Sequence, residues 1–349
     1  MATRLVYAGA LAVAVLAATA LAACSDSDGL KVALAYDVGG RGDKSFNDAA
    51  AAGLDRVRAE LRGRVSQVRE LDARDDESEN DKYDRLKLLC GAGFDVVVAV
   101  GYEYAGTDPE TGPLARAATE CGKTRFAIVD DARVRAPNVA GLVFADEQGS
   151  FLVGAAAGLK SRTGRVGFVG GCDNAVIGRF EAGYRAGVRA VRPDATIAAT
   201  YLSPDKLPCP GFSDPGHARE VAEDLYGDGA DVVFHAAGGS GLGVFEAAGE
   251  SPLSRMAIGV DSDQYQTVSP PLRDTILTSM VKHVDTAVFD VVKSVVDNRF
   301  SAGEHRFDLA SGGVGYATSG GRVDDISAQL EGYKEKIISG SVVVPTAIG

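Results

Sequence analysis

Basic residues are few for a chain of 349: 36 Lys and Arg face 48 Asp and Glu, a formal charge of −12. No basic patch with interleaved aromatics interrupts this excess. Nucleic acid is thereby excluded as a partner, and a neutral or cationic ligand is easier to accommodate than a polyanion. Histidine is scarcer still. The four present, His217, His235, His283 and His305, have no metal-ligand spacing, and neither a metal nor any other cofactor is expected. Enzyme signatures are missing too. Leu242 stands where a nucleophile elbow around Ser240 would need glycine, so the reading is a binding protein and not an enzyme. Asp43 occupies the place that a phosphate-binding loop reserves for glycine before Lys44-Ser45, and Gly239-Ser240-Gly241 lacks the later glycine of a dinucleotide site. The body has no low-complexity segment, and its apolar residues (46%) and charged residues (24%) are mixed along it. Such a chain has material for two packed cores of roughly 150 residues each.

One long apolar run exists, and it stands at the start. Arg4 precedes an Ala/Leu/Val-rich stretch from Leu5 to Leu21, which ends in Leu21-Ala22-Ala23-Cys24. This is the arrangement of an export signal, and the tetrapeptide resembles the bacterial lipobox, whose cysteine is lipidated and becomes the mature N-terminus. Residues 1–23 are therefore read as a signal peptide, and 24–29 as lipidated Cys24 with a short solvated tether. The body is expected on the extracytoplasmic face of the cell membrane, touching the membrane through its lipid anchor only. The alternatives are an uncleaved anchor helix, since about 17 to 25 apolar residues span a bilayer, and plain secretion. With Cys24 assigned to lipid, Cys90, Cys121, Cys172 and Cys209 remain in a compartment where disulfides form. Of the three connectivities, Cys90–Cys121 with Cys172–Cys209 keeps each bridge inside one expected lobe; buried free thiols are the plainer alternative.

From Leu30 onward short β-branched runs alternate with helical patterns, the sequence form of βαβ units and a parallel sheet. Strands are predicted at residues 31–36, 65–71, 96–100, 126–129 and 139–144. Phe46, Ala50, Leu54, Val57 and Leu61 recur at helical spacing between the first two. The rhythm restarts at Arg165, with strands predicted at 166–169, 196–201, 232–236 and 257–260. A further run at 277–282 and a valine-striped helix follow. The fold class is thus α/β, two doubly wound parallel-sheet lobes joined by crossover segments. The first lobe is expected to comprise 30–146 plus about 264–300, and the second 147–263 plus about 301–349.

Three predicted strands stop at aspartate: Tyr36-Asp37, Val129-Asp130 and Val260-Asp261. Ligands of open parallel sheets bind outside the carboxyl ends of the strands, where such carboxylates accept hydrogen bonds. Any one of them alone is as readily a cap or turn residue. The glycine-rich turn from Asp37 to Asn47 runs into a helix start whose backbone amides would face a ligand. Within it, Phe46 is either core or site, and Asn47 either cap or site. Gly238-Gly239-Ser240-Gly241 makes a second such turn, read equally as close approach to a ligand or as a tight bend.

Five segments in order carry a resemblance: Asp43-Lys44-Ser45-Phe46-Asn47, Phe212-Ser213-Asp214-Pro215, Ala237-Gly238-Gly239-Ser240-Gly241, Gly259-Val260-Asp261-Ser262-Asp263-Gln264 and Thr278-Ser279-Met280-Val281-Lys282. Over nearly all of 30–349 the chain resembles the basic membrane protein family, the purine-nucleoside receptor lipoproteins of bacterial ABC transporters. The resemblance implies a type I periplasmic-binding fold, a purine nucleoside (guanosine, inosine or adenosine) in the interlobe cleft, transporter permease subunits as partners, and a monomer. It implies that Phe46 and Phe212 stack on the two faces of the base and that Asn47 and Asp130 bond its edge. Asp261 and Lys282 would hold the ribose, with Asp37 and the backbone near Gly238 completing the shell. Arg41 and the proline-rich segment 203–211 depart from that pattern and bear on ligand identity. A receptor for a sugar or other small solute, a surface sensor or adhesin, and a nucleoside-cleaving hydrolase are the competing readings.

Overall fold

A computed structural model describes residues 29–74 and 76–349; the expected signal, Cys24 and most of the tether lie outside the described residues. The first run of strands is β1 (Leu30–Ala35), β2 (Val65–Leu71), β3 (Val96–Ala99), β4 (Arg125–Val129) and β5 (Val139–Phe144). The second is β6 (Arg165–Cys172), β7 (Thr196–Ser203), β8 (Val232–Ala236), β9 (Met256–Asp261) and β10 (Ile276–Lys282). Two further strands, β11 (Gly303–Phe307) and β12 (Val314–Tyr316), come from the tail. They build two six-stranded sheets, β11-β5-β4-β3-β1-β2 and β12-β10-β9-β8-β6-β7. Every pairing is parallel except β10 with β12. Strand order reverses between β1 and β3 in one sheet and between β6 and β8 in the other, and a crevice opens at such switch points.

The predicted strands match these elements to within two or three residues. In the sheet centres this is because fully buried parallel strands are near-continuous apolar runs, as in β3, Val96-Val97-Val98-Ala99 with no residue exposed, whereas the edge strands β2 and β7 are only partly buried. The tail departs from the expected division. β10 belongs to the second sheet, beside β9, although 264–300 was assigned to the first lobe. β11, expected in the second lobe, pairs with β5 of the first. The chain therefore crosses between sheets three times: after β5, after β10 and after β11. β11 and β12 escaped the sequence reading because Gly303-Glu304-His305-Arg306-Phe307 has little apolar character and β12 is three residues long.

Helices cover both faces of each sheet. Phe46–Glu60 and Val284–Val296 pack together on one face of the first. Asp146–Lys160 and Ala175–Val191 lie on the second, so close that a Cβ on Gly154, Gly183 or Gly187 would run into the carbonyl oxygen of Tyr184, Glu147 or Phe151 respectively. Backbone-to-backbone contact of this kind locks the crossover helix Asp146–Lys160 to the second lobe. Cys90 is bonded to Cys121 within the first lobe (Cα–Cα 6.1 Å) and Cys172 to Cys209 within the second (Cα–Cα 6.2 Å). Among the described residues no helix is long and apolar enough to cross a membrane.

Candidate functional site

Between the carboxyl ends of the two sheets lies a cavity with about 600 Å³ of atom-free space, part of it open to solvent. That is within the ~300–1,000 Å³ range of small-molecule sites. All eight residues singled out from the sequence line it: Asp37, Phe46, Asn47 and Asp130 from the first lobe, Phe212, Gly238, Asp261 and Lys282 from the second.

The two phenylalanines enter from opposite lobes. Phe46 is the first residue of its helix and is half-buried, packed against the core on one side and lining the cleft on the other. Phe212 ends a short 3-10 turn, Pro210–Phe212, and a Cβ on Gly171 at the end of β6 would collide with its ring. Behind it, Ser240 Oγ accepts the Asp214 N–H at 2.7 Å, and Gly239 passes so near that a Cβ there would lie 3.3 Å from the Phe212 carbonyl oxygen. The second glycine-rich turn is thus chiefly a seat for the Phe212 loop. His235 sits buried beneath it, against Phe245, with burial pushing its imidazole down to about 3, so it stays neutral.

The first glycine-rich turn corrects an expectation. Its amides do not face the cavity unpaired: Asp43 accepts from the N–H groups of Ser45 (2.9 Å), Asn47 (2.8 Å) and Asp48 (3.1 Å). Asp48 in turn accepts from Gly42 (2.7 Å) and Lys44 (3.1 Å). Asp43 thereby satisfies the orphan donors of the helix start and leaves that end closed to an anionic ligand. Asn47 is tied through Nδ2 to Val38 O (3.2 Å) and Asp43 (3.1 Å). Its Oδ1 is buried and has no hydrogen-bond partner among the described residues, an acceptor left for a ligand donor.

Opposite stands a buried charge cluster. Lys282 Nζ is 2.6 Å from Asp130 Oδ1 and 3.2 Å from Asp146 Oδ1, and lies over the rings of Phe46 (5.3 Å) and Phe180 (5.3 Å). Burial favours loss of its proton, but Asp130, Asp146 and Asp261 outweigh that and raise its pKa, so it is an ammonium. Burial pushes the Asp261 carboxyl up to about 7, against the pull of Lys282 and of the Ser45 hydroxyl, which donates to Oδ2 at 2.7 Å. Asp130 (φ 69°) and Asp261 (φ 65°) both hold left-handed backbone, a conformation that few side chains other than Asn and Asp tolerate and that clusters at functional sites. Asp130 therefore belongs spatially with Lys282 rather than with Asn47.

A second buried network supports Asp37. Lys82 Nζ lies 3.3 Å from Asp37 Oδ1, 2.9 Å from Glu77 Oε1 and 3.0 Å from Glu103 Oε2. Gly101, at φ 115°, approaches so closely that any Cβ would strike the Asp37 carboxylate. Sequence reasoning missed Tyr102 and Phe180 as lining residues and gave Asp43 no role in the site. Tyr102 was within reach of the rule that found the aspartates, since it follows the end of β3; Phe180 lies within an ordinary amphipathic helix and carries no such signal.

Hydrogen bonds join the lobes on both lips. On one, the Lys44 carbonyl accepts from Ser262 Oγ (2.9 Å), Gln264 Nε2 (3.0 Å) and Thr267 Oγ1 (3.4 Å). On the other, Asn174 Nδ2 donates to Tyr102 Oη (2.9 Å) and Cys209 N–H to Glu103 Oε1 (2.8 Å). The lobes are shut upon the cavity.

Residues 30–347 match the family described as ABC transporter substrate-binding protein PnrA-like. A "CD4+ T-cell-stimulating antigen" of Listeria innocua is 33% identical, covering 97% of this chain and 98% of its own length. The "ABC transporter nucleoside-binding protein BmpA" of Lactococcus lactis subsp. cremoris is 30% identical over 99% of this chain and 100% of its own. Among solved structures, a solute-binding protein of an ABC transporter system from Aeropyrum pernix K1 superposes with a TM-score of 0.75 at 29% identity, covering 90% of this chain and 94% of that one.

Proposed function

The chain belongs to the PnrA-like family of ABC transporter substrate-binding proteins, and from that premise we propose that it binds a purine nucleoside in its interlobe cleft and hands it to the permease subunits. The carrying observation is one aromatic ring from each lobe, Phe46 and Phe212, lining one narrow cavity with polar groups around it. A flat heterocycle offers two apolar faces to such rings and a polar rim to side chains. Asn47, with its free Oδ1, suits a donor on the base edge. Asp130, Asp261 and Lys282 form a carboxylate–ammonium group suited to a ribose diol; the Asp130–Lys282 contact favours the ribose end for Asp130 over the base edge. The lactococcal relative is named for nucleoside binding, which agrees with this reading.

Binding replaces chemistry here, the family being one of receptors and not an enzyme class. Ligand bridges the lobes, stabilises the shut form, and that form is what the permease recognises. Lipid attachment at Cys24 holds this monomeric receptor at the extracytoplasmic face of the membrane. The test is calorimetric titration of residues 25–349, freed of ligand, with adenosine, guanosine, inosine, cytidine, uridine, ribose and free bases. Purine nucleosides bound far above ribose or bare base support the assignment; saturable binding of ribose alone, or of none of the panel, sinks it.

A further inference from the structure

The two lips of the cleft are built differently. The Lys44 lip offers a main-chain carbonyl to three neutral donors, whereas the Tyr102–Glu103 lip reaches across with side chains from the end of β3. Glu103 is 1% exposed. Its Oε2 is 3.0 Å from Lys82 Nζ, which also meets Asp37 in the ligand cavity, and its Oε1 takes the Cys209 amide of the other lobe at 2.8 Å. Beside it, Tyr102 lines the ligand cavity and also a wider chamber bounded by Arg133, Arg179 and Lys206; its bond with Asn174 stands where the two spaces adjoin. Cys209 is presented by a segment containing Pro204, Pro208 and Pro210 and is bonded to Cys172 at the end of β6. A fixed φ at each proline and a covalent tie at the cysteine leave this segment little freedom.

We infer that Tyr102 and Glu103 form a clasp on the second lobe that sets how long ligand is held, and that the Cys172–Cys209 bridge is its other half. A bond across the lobe boundary exists only when the lobes are shut, so its free energy goes wholly to the shut state. A main-chain N–H bond accepted by a buried carboxylate is charge-assisted when that carboxylate is ionised, and then stands at the strong end of the protein range. Burial and Asp37 push the Glu103 carboxyl up to about 7, while Lys82 and the Cys209 amide pull it back, so the arriving amide favours the ionised form. Tyr102 and Glu103 act as positioning residues: the clasp slows escape and leaves encounter with open lobes unaffected.

The inference rests on lobe closure, not on the ligand being a nucleoside. With guanosine, inosine and adenosine as probes in stopped-flow, Glu103→Ala is expected to raise the dissociation rate about tenfold with the association rate within about twofold, the partition typical of interface changes. The Cys172→Ser/Cys209→Ser pair, which leaves the buried ion cluster whole, shifts the same rate, and combining it with Glu103→Ala adds little further. Unchanged dissociation in folded variants, or fully additive effects, overturns the clasp. Should none of the three probes bind, the lobes are held shut by a short cross-link between cysteines introduced on the opposite lip (Lys44→Cys/Ser262→Cys), where the two residues meet, and amide exchange over 203–211 in that form decides: faster exchange with Glu103→Ala added supports the clasp, and equal rates sink it.

Discussion

Phe46, Lys282 and Asp261 each test a different physical term of the site. Phe46→Ala removes one face of the stack and should weaken purine nucleosides by about 1 to 3 kcal/mol, the scale of base–aromatic contacts, read by calorimetry against ribose as the unaffected control. Lys282 neutralises Asp130 and Asp146, and all three side chains are buried. Lys282→Met strands those carboxylates and should destabilise the protein by roughly 3 to 5 kcal/mol in urea titration, with part recovered when Asp130→Asn is added. Asp261 titrates upward, from 3.8 to about 7 in the folded protein, so between those values the native state keeps a proton that the unfolded state has lost. Stability from this group is therefore full at low pH and falls as pH rises to about 7. The difference in melting temperature between wild type and Asp261→Asn, both saturated with ligand, should follow that slope, and a difference independent of pH would contradict it. These residues differ in how far the sequence disclosed them. Asp261 ends a strand and was legible by position; the partnership of Lys282 with Asp130, 152 residues away, was not, since only sheet packing brings β4 and β10 to one cleft.

At the scale of elements, glycine distinguishes packing from propensity within one helix, Ala175–Val191. Gly183 meets the Glu147 carbonyl of the crossover helix, and Gly178 meets nothing within 4 Å. Gly183→Ala should then cost about 1 to 3 kcal/mol by overpacking, while Gly178→Ala should stabilise by roughly 0.5 to 1 kcal/mol through helix propensity. Paired urea melts check both, and equal effects would contradict the close approach. Elements made of buried apolar runs were readable without coordinates, as β3 and β8 illustrate. The glycine-rich turns were readable as turns but not as to purpose: Asp43 consumes the amides of one, and the Phe212 loop occupies the other.

For the whole molecule, the chain crosses between the sheets three times, and on the proposed reading bending at these crossings accompanies ligand entry and release. Small-angle scattering of the ligand-free and guanosine-bound protein should show a decrease in radius of gyration on binding; an unchanged radius would mean that the shut form predominates without ligand. The net charge of −12 has no direct part in this motion, but two buried lysines, Lys82 and Lys282, offset the carboxylates concentrated at the cleft.

Local chemistry by itself determined the βα rhythm, the two-lobed class and the strand-ending aspartates, because burial on both faces writes apolar runs into a chain and loops at strand ends must be polar. It also disclosed the order of motifs on which the family resemblance stood. Tertiary structure alone decided the rest. β11 and β12 gain their identity from the strands they pair with, so the tail could not be divided correctly from its own residues. The grouping of Asp130 with Lys282, the closure of the helix end by Asp43, and the bond from Cys209 to Glu103 join residues whose distance in sequence is unrelated to their distance in space. Their meaning lies in the desolvation and partnership that only the packed lobes create.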